Sequence, residues 1–369
     1  MGGAEKVLLR LLQGMDDDVF ENEVFALTTV SPLAEQFTDS GIPVKAFGYS
    51  KGNLNIVPFF NVCRSLRQRK PDIVQTWLYH GDLLGGISAR MCTRAPVLWN
   101  LRQSNLDSRL SPRSTRTIAK ICANLSSVIP RNIVCGSHAA LSVHKALGYD
   151  AQKMFLIENG FDTEKYQRTE KWRRDFRSSW GVSDDTVVIG HAARLDPQKD
   201  HPTLLHAAAK VIEAEPSVRF VLCGTDITDA PTHLRELIDT LGIRDHVTLL
   251  GIVDNMTGFY SALDIQVMSS AYGEGAPNVL GEAMSCETPC VTTDIGDSAR
   301  IIGNTGPVVP VGNDQALSDA ILSLVAESSE QRRQRGQAAR RRIVEEMPLK
   351  KMIKEYQDLY LDILKNKAS

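Results

Sequence analysis

Short β-type apolar runs alternate with helical patterns along almost the whole chain, and this alternation restricts the fold more than any other feature. Repeats of this kind bury both faces of a sheet, so they give parallel strands covered by helices. The first series predicts a strand at 23–30, a helix at 31–40, a strand at 44–47, a helix at 57–68, a strand at 72–77 and a helix at 82–91. Residues 97–101, 132–135 and 153–157 are its remaining strands. The turn signal Asn159-Gly160 and a strongly polar stretch over 163–177 then break the pattern. A second series opens with a strand at 186–190 and a helix at 201–215 that stops at Pro216. Strands at 219–223, 247–250, 264–268, 290–293 and 306–311 complete it. The fold class is therefore α/β, with two successive doubly wound, Rossmann-like domains over 1–165 and 166–347. Ligands of such sheets bind outside the carboxyl ends of the strands. The final stretch, 348–365, carries Leu349, Met352, Ile353, Tyr356, Leu359, Tyr360 and Ile363 at helical spacing, a face that has to pack on something.

A hydrophobic fraction of 43% and a charged fraction of 23% are those of an ordinary globular protein. No apolar run approaches the length needed to cross a bilayer, and no cleavable signal peptide is recognisable. The seven cysteines are scattered through apolar surroundings without metal-ligand spacing, which points to buried thiols in a reducing, cytoplasmic compartment. Residues 1–165 hold 19 Lys+Arg against 15 Asp+Glu, whereas the rest holds 23 against 29. A basic first half suits an anionic lipid or acceptor, peripheral association with the inner membrane face included. The arginine cluster over 332–342 has no aromatic interleaving and reads as solvated helix faces, so no nucleic-acid partner is expected.

The densest chemistry lies in Tyr272-Gly-Glu-Gly-Ala-Pro-Asn-Val-Leu-Gly-Glu-Ala-Met284. Glu274 sits in a glycine-rich loop with Gly275 and Ala276, and Pro277 suits the first position of a helix. Glu282 falls on the second turn of that helix. Amides near Asn278 offer an anion site, and the flanking carboxylates suit sugar hydroxyls. Upstream, Gly190-His-Ala-Ala-Arg-Leu-Asp-Pro-Gln-Lys-Asp200 follows the first strand of the second series and supplies Arg194 and Lys199. No Asp-x-Asp pair at metal spacing accompanies them. His80 and Arg102 lie just past strand ends in the first series, and Gly2, Gly3 and Ala4 open the chain before a helix.

These motifs resemble the retaining glycosyltransferases of the GT-B fold in family 4. Glu274 and Glu282 match its Glu-x7-Glu segment, and Arg194 and Lys199 match the cations of its Gly-Arg-x-x-x-x-Lys-Gly stretch. The resemblance implies two domains facing across a cleft, with the last helix (348–369) returning to the first. It implies Glu274 on the transferred sugar, Glu282 on the ribose, Arg194 and Lys199 on the diphosphate, and a metal-independent mechanism. Gly275, Ala276, Pro277 and Asn278 would line the donor, with Val253 at the base pocket and Gly2 and Gly3 close to donor and acceptor. His80 would assist at the transferred sugar, and Arg102 would meet the acceptor. The nucleotide-sugar is a substrate, so no cofactor is expected. UDP is the first candidate nucleotide and GDP the second, with a carbohydrate or lipid-linked acceptor.

The chain departs from the pattern in places. Cys286-Glu-Thr-Pro289 replaces Gly-x-Pro, and Gly296-Asp-Ser-Ala-Arg300 replaces Gly-Gly-x-x-Glu. The family's opening strand before Gly-Gly-Ala-Glu is absent, so we expect the natural start to lie upstream of Met1. Two other functions fit the same motifs: a non-catalytic nucleotide-sugar binder and a GT-B-type epimerase.

Overall fold

The computed structural model describes residues 3–28, 32–49, 57–104, 106, 111–230 and 232–368. The chain divides into two compact units, Met1–Gly160 with Leu349–Ser369, and Phe161–Pro348.

In the first unit β1 (Val24–Ala26) pairs in parallel with β2 (Val44–Ala46). A second parallel sheet runs β3 (Val74–Trp77), β4 (Val97–Leu101), β5 (Asn132–Cys135) and β6 (Met154–Leu156) in sequential order. Alternate side chains of β4 and β5 enter opposite cores, which is why their sequences are apolar throughout. Val97, Trp99, Leu101, Ile133 and Cys135 join one cluster, and Leu98 and Val134 join another. That second cluster is covered by the helices Gly3–Gln13 and Leu349–Ala368, through Val7, Leu11, Met352, Ile353 and Tyr356. Among the described residues no ladder joins β1 to β3, although Phe25 and Val74 pack on the same core. Gly2 lies outside the described residues, and Gly3 starts its helix exposed.

The second unit is one six-stranded parallel sheet in the order β12 (Val308–Val309), β11 (Cys290–Thr293), β10 (Ile265–Met268), β7 (Val188–Ala192), β8 (Arg219–Cys223), β9 (Val247–Leu249). Chain order reverses between β7 and β10, so the loops after these two strands diverge at a switch point. Ile189, Phe220, Leu222, Val267 and Val291 fill one face, while Val188, Val221, Met268 and Cys290 fill the other.

Local differences from the sequence expectations have physical causes. The polar stretch predicted as a break holds the helix Glu170–Ser179, because its charges serve the interior. Arg177 is 1% exposed and donates to Asp264 Oδ2 at 3.0 Å, while Arg173 donates to Asp264 Oδ1 at 2.7 Å. Over 82–91 the single predicted helix is instead a π-helical turn, Gly81–Gly85, followed by the helix Gly86–Cys92. Asp82, the first residue of that expected helix, is fully buried in the turn. Thr76 Oγ1 donates to it at 2.6 Å, and burial pushes its carboxyl well above the ordinary range. No described helix is long and apolar enough to cross a membrane.

Candidate functional site

Two loops meet at the switch point of the second unit. After β7 the chain makes a short turn, Pro197–Lys199, which Asp196 caps by accepting the Gln198 amide at 2.9 Å. Asp200 follows in the left-handed region (φ 49°). Aspartate is tolerated there because its short carboxylate bonds locally. It caps the helix His201–Ala214 by accepting Thr203 N at 3.3 Å and Thr203 Oγ1 at 2.7 Å.

The turn is fastened to the segment that follows β10. Ala271 N donates to Gln198 O at 2.9 Å, and Ser269 Oγ donates to Lys199 O at 2.8 Å. These bonds set Lys199 against Glu274, and its ammonium contacts Oε1 directly. The same oxygen accepts from Ser270 Oγ at 2.8 Å and from Gln198 Nε2 at 3.4 Å. Lys199 is 16% and Glu274 9% exposed at the side chain, so the pair lies largely out of water. The Glu274 loop is pinned from outside as well. Asp297 N donates to Gly275 O at 2.8 Å, and a Cβ on Gly296 would stand 2.3 Å from Glu274 O. The glycine retained in Gly296-Asp-Ser-Ala-Arg300 is thus the one that the close approach requires.

The remaining donor-side residues are distributed around this centre. Arg194 is 47% exposed, with Nε donating to Asp196 Oδ2 at 3.0 Å and Nη2 to Gln198 Oε1 at 3.4 Å. Burial works to raise the Asp196 pKa, but the Gln198 amide and the Arg194 charge bring it below the ordinary value. Pro277 is the extended residue that precedes the helix Asn278–Ser285, one position earlier than the sequence suggests, since its ψ of 114° is not helical. Glu282 lies on the buried side of that helix and accepts from Tyr260 OH at 3.2 Å. Burial and the Glu282 charge together hold the Tyr260 hydroxyl far above its usual pKa, so it remains a donor. Gly275, Ala276 and Asn278 are partly exposed beside Glu274, and Val253 is half-buried against the core of this unit.

The first unit holds the other predicted site residues. His80 is exposed at the end of the turn after β3 and makes no side-chain cap to the π-turn behind it. Arg102 is tied into its own unit. Its Nε donates to Asn100 Oδ1 and its Nη2 to Tyr356 OH, each at 2.6 Å; Nη1 reaches Asn159, and the guanidinium lies 4.6 Å from the Trp77 ring centroid. Among the described residues no three His, Cys, Asp or Glu side chains converge as a metal group.

Ser269, Ser270, Gln198 and Tyr260 escaped the sequence reading. The available signal was a hydroxyl pair directly after a strand at the switch point. Ser270→Ala removes one of the donors on Glu274 Oε1 and is expected to lower kcat roughly tenfold with little change in fold stability, the effect of one charge-assisted hydrogen bond. Steady-state kinetics beside thermal unfolding check this.

A second group missed by sequence lies beneath Lys199. His191 and His201 meet edge to face with centroids 5.1 Å apart, and His191 Nδ1 donates to Val267 O at 2.9 Å. Burial lowers their pKa values to about 3 and about 4, helped for His191 by His201 and for His201 by Lys199. Both are neutral in the folded state near pH 7. An unfolded imidazole takes up its proton below about pH 6.5, so the stability these groups contribute is present above that pH and falls as pH drops toward about 4. Between about pH 7 and 5 the pair is expected to cost roughly 3–4 kcal/mol. Thermal midpoints across that range, with a His191→Gln/His201→Gln variant as the flatter control, measure it.

Residues 186–327 match the family described as glycosyl transferases group 1, and residues 1–165 match glycosyltransferase family 4. N-acetyl-alpha-D-glucosaminyl L-malate synthase of Bacillus anthracis is 25% identical over 234 residues, spanning 62% of this chain and 59% of that enzyme. UDP-Gal:alpha-D-GlcNAc-diphosphoundecaprenol alpha-1,3-galactosyltransferase of Escherichia coli is 22% identical over 380 residues, covering 100% of this chain and 95% of that one. The crystal structure of Anabaena HepE in complex with UDP-glucose superposes with a TM-score of 0.85 at 22% identity, covering 98% of this chain and 96% of that one. The chain belongs to the group 1 glycosyltransferases and has the GT-B fold.

Proposed function

We propose that this chain is a retaining glycosyltransferase that moves a sugar from a UDP-sugar to an acceptor hydroxyl in surface polysaccharide or glycolipid synthesis. The observation that carries the proposal is the Lys199–Glu274 pair, fixed by Ser270 and Gln198 at the switch point of the second unit. A carboxylate held this way orients a sugar hydroxyl, and the Lys199 ammonium with the Arg194 guanidinium supplies positive charge for a leaving diphosphate. Amides at the start of the Asn278–Ser285 helix add to that charge, and Glu282 takes the ribose hydroxyls. With these cations in place, transfer proceeds without a resident metal. The bond from the anomeric carbon to the diphosphate oxygen breaks with its electron pair leaving on UDP. The acceptor oxygen bonds to the same face of that carbon, and its proton passes to the departing phosphate. On the first unit, His80 and Arg102 are the acceptor-side candidates. The relatives named for UDP-Gal and crystallised with UDP-glucose support a UDP donor, and the diphosphoundecaprenol acceptor in one name supports a lipid-linked acceptor met at the cytoplasmic face of a membrane.

A panel of radiolabelled UDP- and GDP-sugars tests this reading with wild type, Glu282→Ala and Arg194→Ala, with and without EDTA. Glu282→Ala is expected to raise donor KM by roughly 10- to 100-fold through a lost charged hydrogen bond, and Arg194→Ala to lower kcat by about tenfold. EDTA is expected to change nothing. Both variants matching wild type sinks the site assignment. UDP binding without turnover would make the chain a binder, and a product that keeps its nucleotide would make it an epimerase.

A further inference from the structure

A basic and partly apolar surface of the first unit lies apart from every residue assigned above. On the helix Val57–Arg69, Phe60, Arg64 and Arg67 follow one another at i, i+4 and i+7, so they share one face, and all three are exposed. This helix packs on Gly86–Cys92, where Arg90 and Met91 are exposed, and Arg94 follows directly. Burial raises the Cys92 thiol, and the charge of Arg67 on the neighbouring helix works against that rise. Arg90, Arg94 and Arg131 then line a groove of about 280 Å³ together with Pro96, Val128 and Pro130.

The charge on this surface is one-sided. Residues 57–69, 86–96 and 126–131 contain no Asp or Glu. Arg69 is paired with Glu23, but among the described residues Arg64, Arg67, Arg90, Arg94 and Arg131 have no carboxylate partner. The same segments carry three exposed apolar side chains, Phe60 at 60%, Met91 at 66% and Val128 at 64%. Solvation explains the arginines but not the exposed apolar groups. A lipid surface accommodates both, with arginines at the level of anionic headgroups and apolar side chains at the acyl boundary.

We propose that this face docks the first unit on a bilayer rich in anionic phospholipid, with the Arg90–Arg94–Arg131 groove receiving a lipid phosphate. The proposal does not depend on the transferase reading: the groove precedes β4 and β5, at the amino ends of these strands, whereas His80 and Arg102 follow carboxyl ends.

The test is cosedimentation of the full chain with vesicles of phosphatidylcholine alone and of phosphatidylcholine with phosphatidylglycerol. Binding is expected only to the anionic vesicles and is expected to fall with added salt. Each arginine removed is expected to weaken it roughly fivefold, so an Arg64→Ser/Arg67→Ser/Arg90→Ser/Arg94→Ser variant should lose it while UDP affinity stays unchanged. Arginine-to-lysine changes at the same positions should keep most of the binding. Phe60→Ser/Met91→Ser should weaken it at constant charge, and that variant carries the test if the fourfold one fails to fold. Equal binding to neutral vesicles, undiminished binding by the serine variants, or capture of single-stranded RNA in preference to vesicles would each overturn the proposal. Vesicle binding lost with donor turnover intact removes this proposal alone, whereas vesicle binding without any donor turnover removes the transferase reading alone.

Discussion

Lys199→Ala is expected to lower donor turnover by roughly 10²- to 10³-fold, the largest catalytic loss for a single change in this chain. The lysine acts on a nearly dry site, since it is 16% and its partner Glu274 9% exposed. There a charge is worth far more than in water. The expected loss is in kcat, because the diphosphate gains its extra charge only as the sugar departs. Glu274 keeps Ser270 and Gln198 as donors, so the protein should remain folded, at a cost of about 1–3 kcal/mol for the missing partner. Lys199→Arg should recover only part of the activity, because a planar fork does not reproduce a compact ammonium. Single-turnover kinetics beside UDP calorimetry check this, and a wild-type rate in a folded Lys199→Ala protein removes the lysine from the mechanism.

Asp264→Ala is expected to be the most destabilising substitution in the second unit. One carboxylate there accepts from Arg173, Arg177 and the Val188 amide, the last at 2.8 Å. Removing it leaves Arg177, which is 1% exposed, with only the exposed Asp184 carboxylate, at 4.0 Å, as counter-charge, and takes away the partner that starts β7. Losses of this kind are about 3–5 kcal/mol, or roughly 10 °C in thermal midpoint for a unit of this size. Asp264→Asn should lose less, since an amide oxygen can still take the Val188 proton. Calorimetry of the three proteins measures the difference, and an Asp264→Ala midpoint within about 2 °C of wild type would contradict the role of this carboxylate.

How much of this was legible in the sequence depends on which way a side chain's chemistry faces. The strands β4 and β5 occur at the residues predicted, because a strand buried on both faces has to be apolar at every position. The helix Glu170–Ser179 was hidden because buried polarity leaves the same trace as solvated polarity. Arg177 serves an internal carboxylate, and no local pattern distinguishes it from a surface arginine. In the candidate site the spacing of Glu274, Glu282, Arg194 and Lys199 could be read, since a loop and a helix start have recognisable residues. The contact between Lys199 and Glu274 could not, because it joins the ends of two strands that lie next to each other only after the sheet reverses its order. Ser270 was missed for the same reason.

The last helix also orders events in time. Met352, Ile353 and Tyr356 cover Val7 and Leu11, and Tyr356 accepts from both Arg102 and Asn100, yet these residues leave the ribosome after the whole of Phe161–Pro348. During synthesis the first unit therefore waits with one core face uncovered and the Arg102 guanidinium lacking its phenol, while the second unit, an uninterrupted segment, can close. The part made first is completed last. For that interval its exposed apolar face is the segment of the chain most in need of chaperone protection.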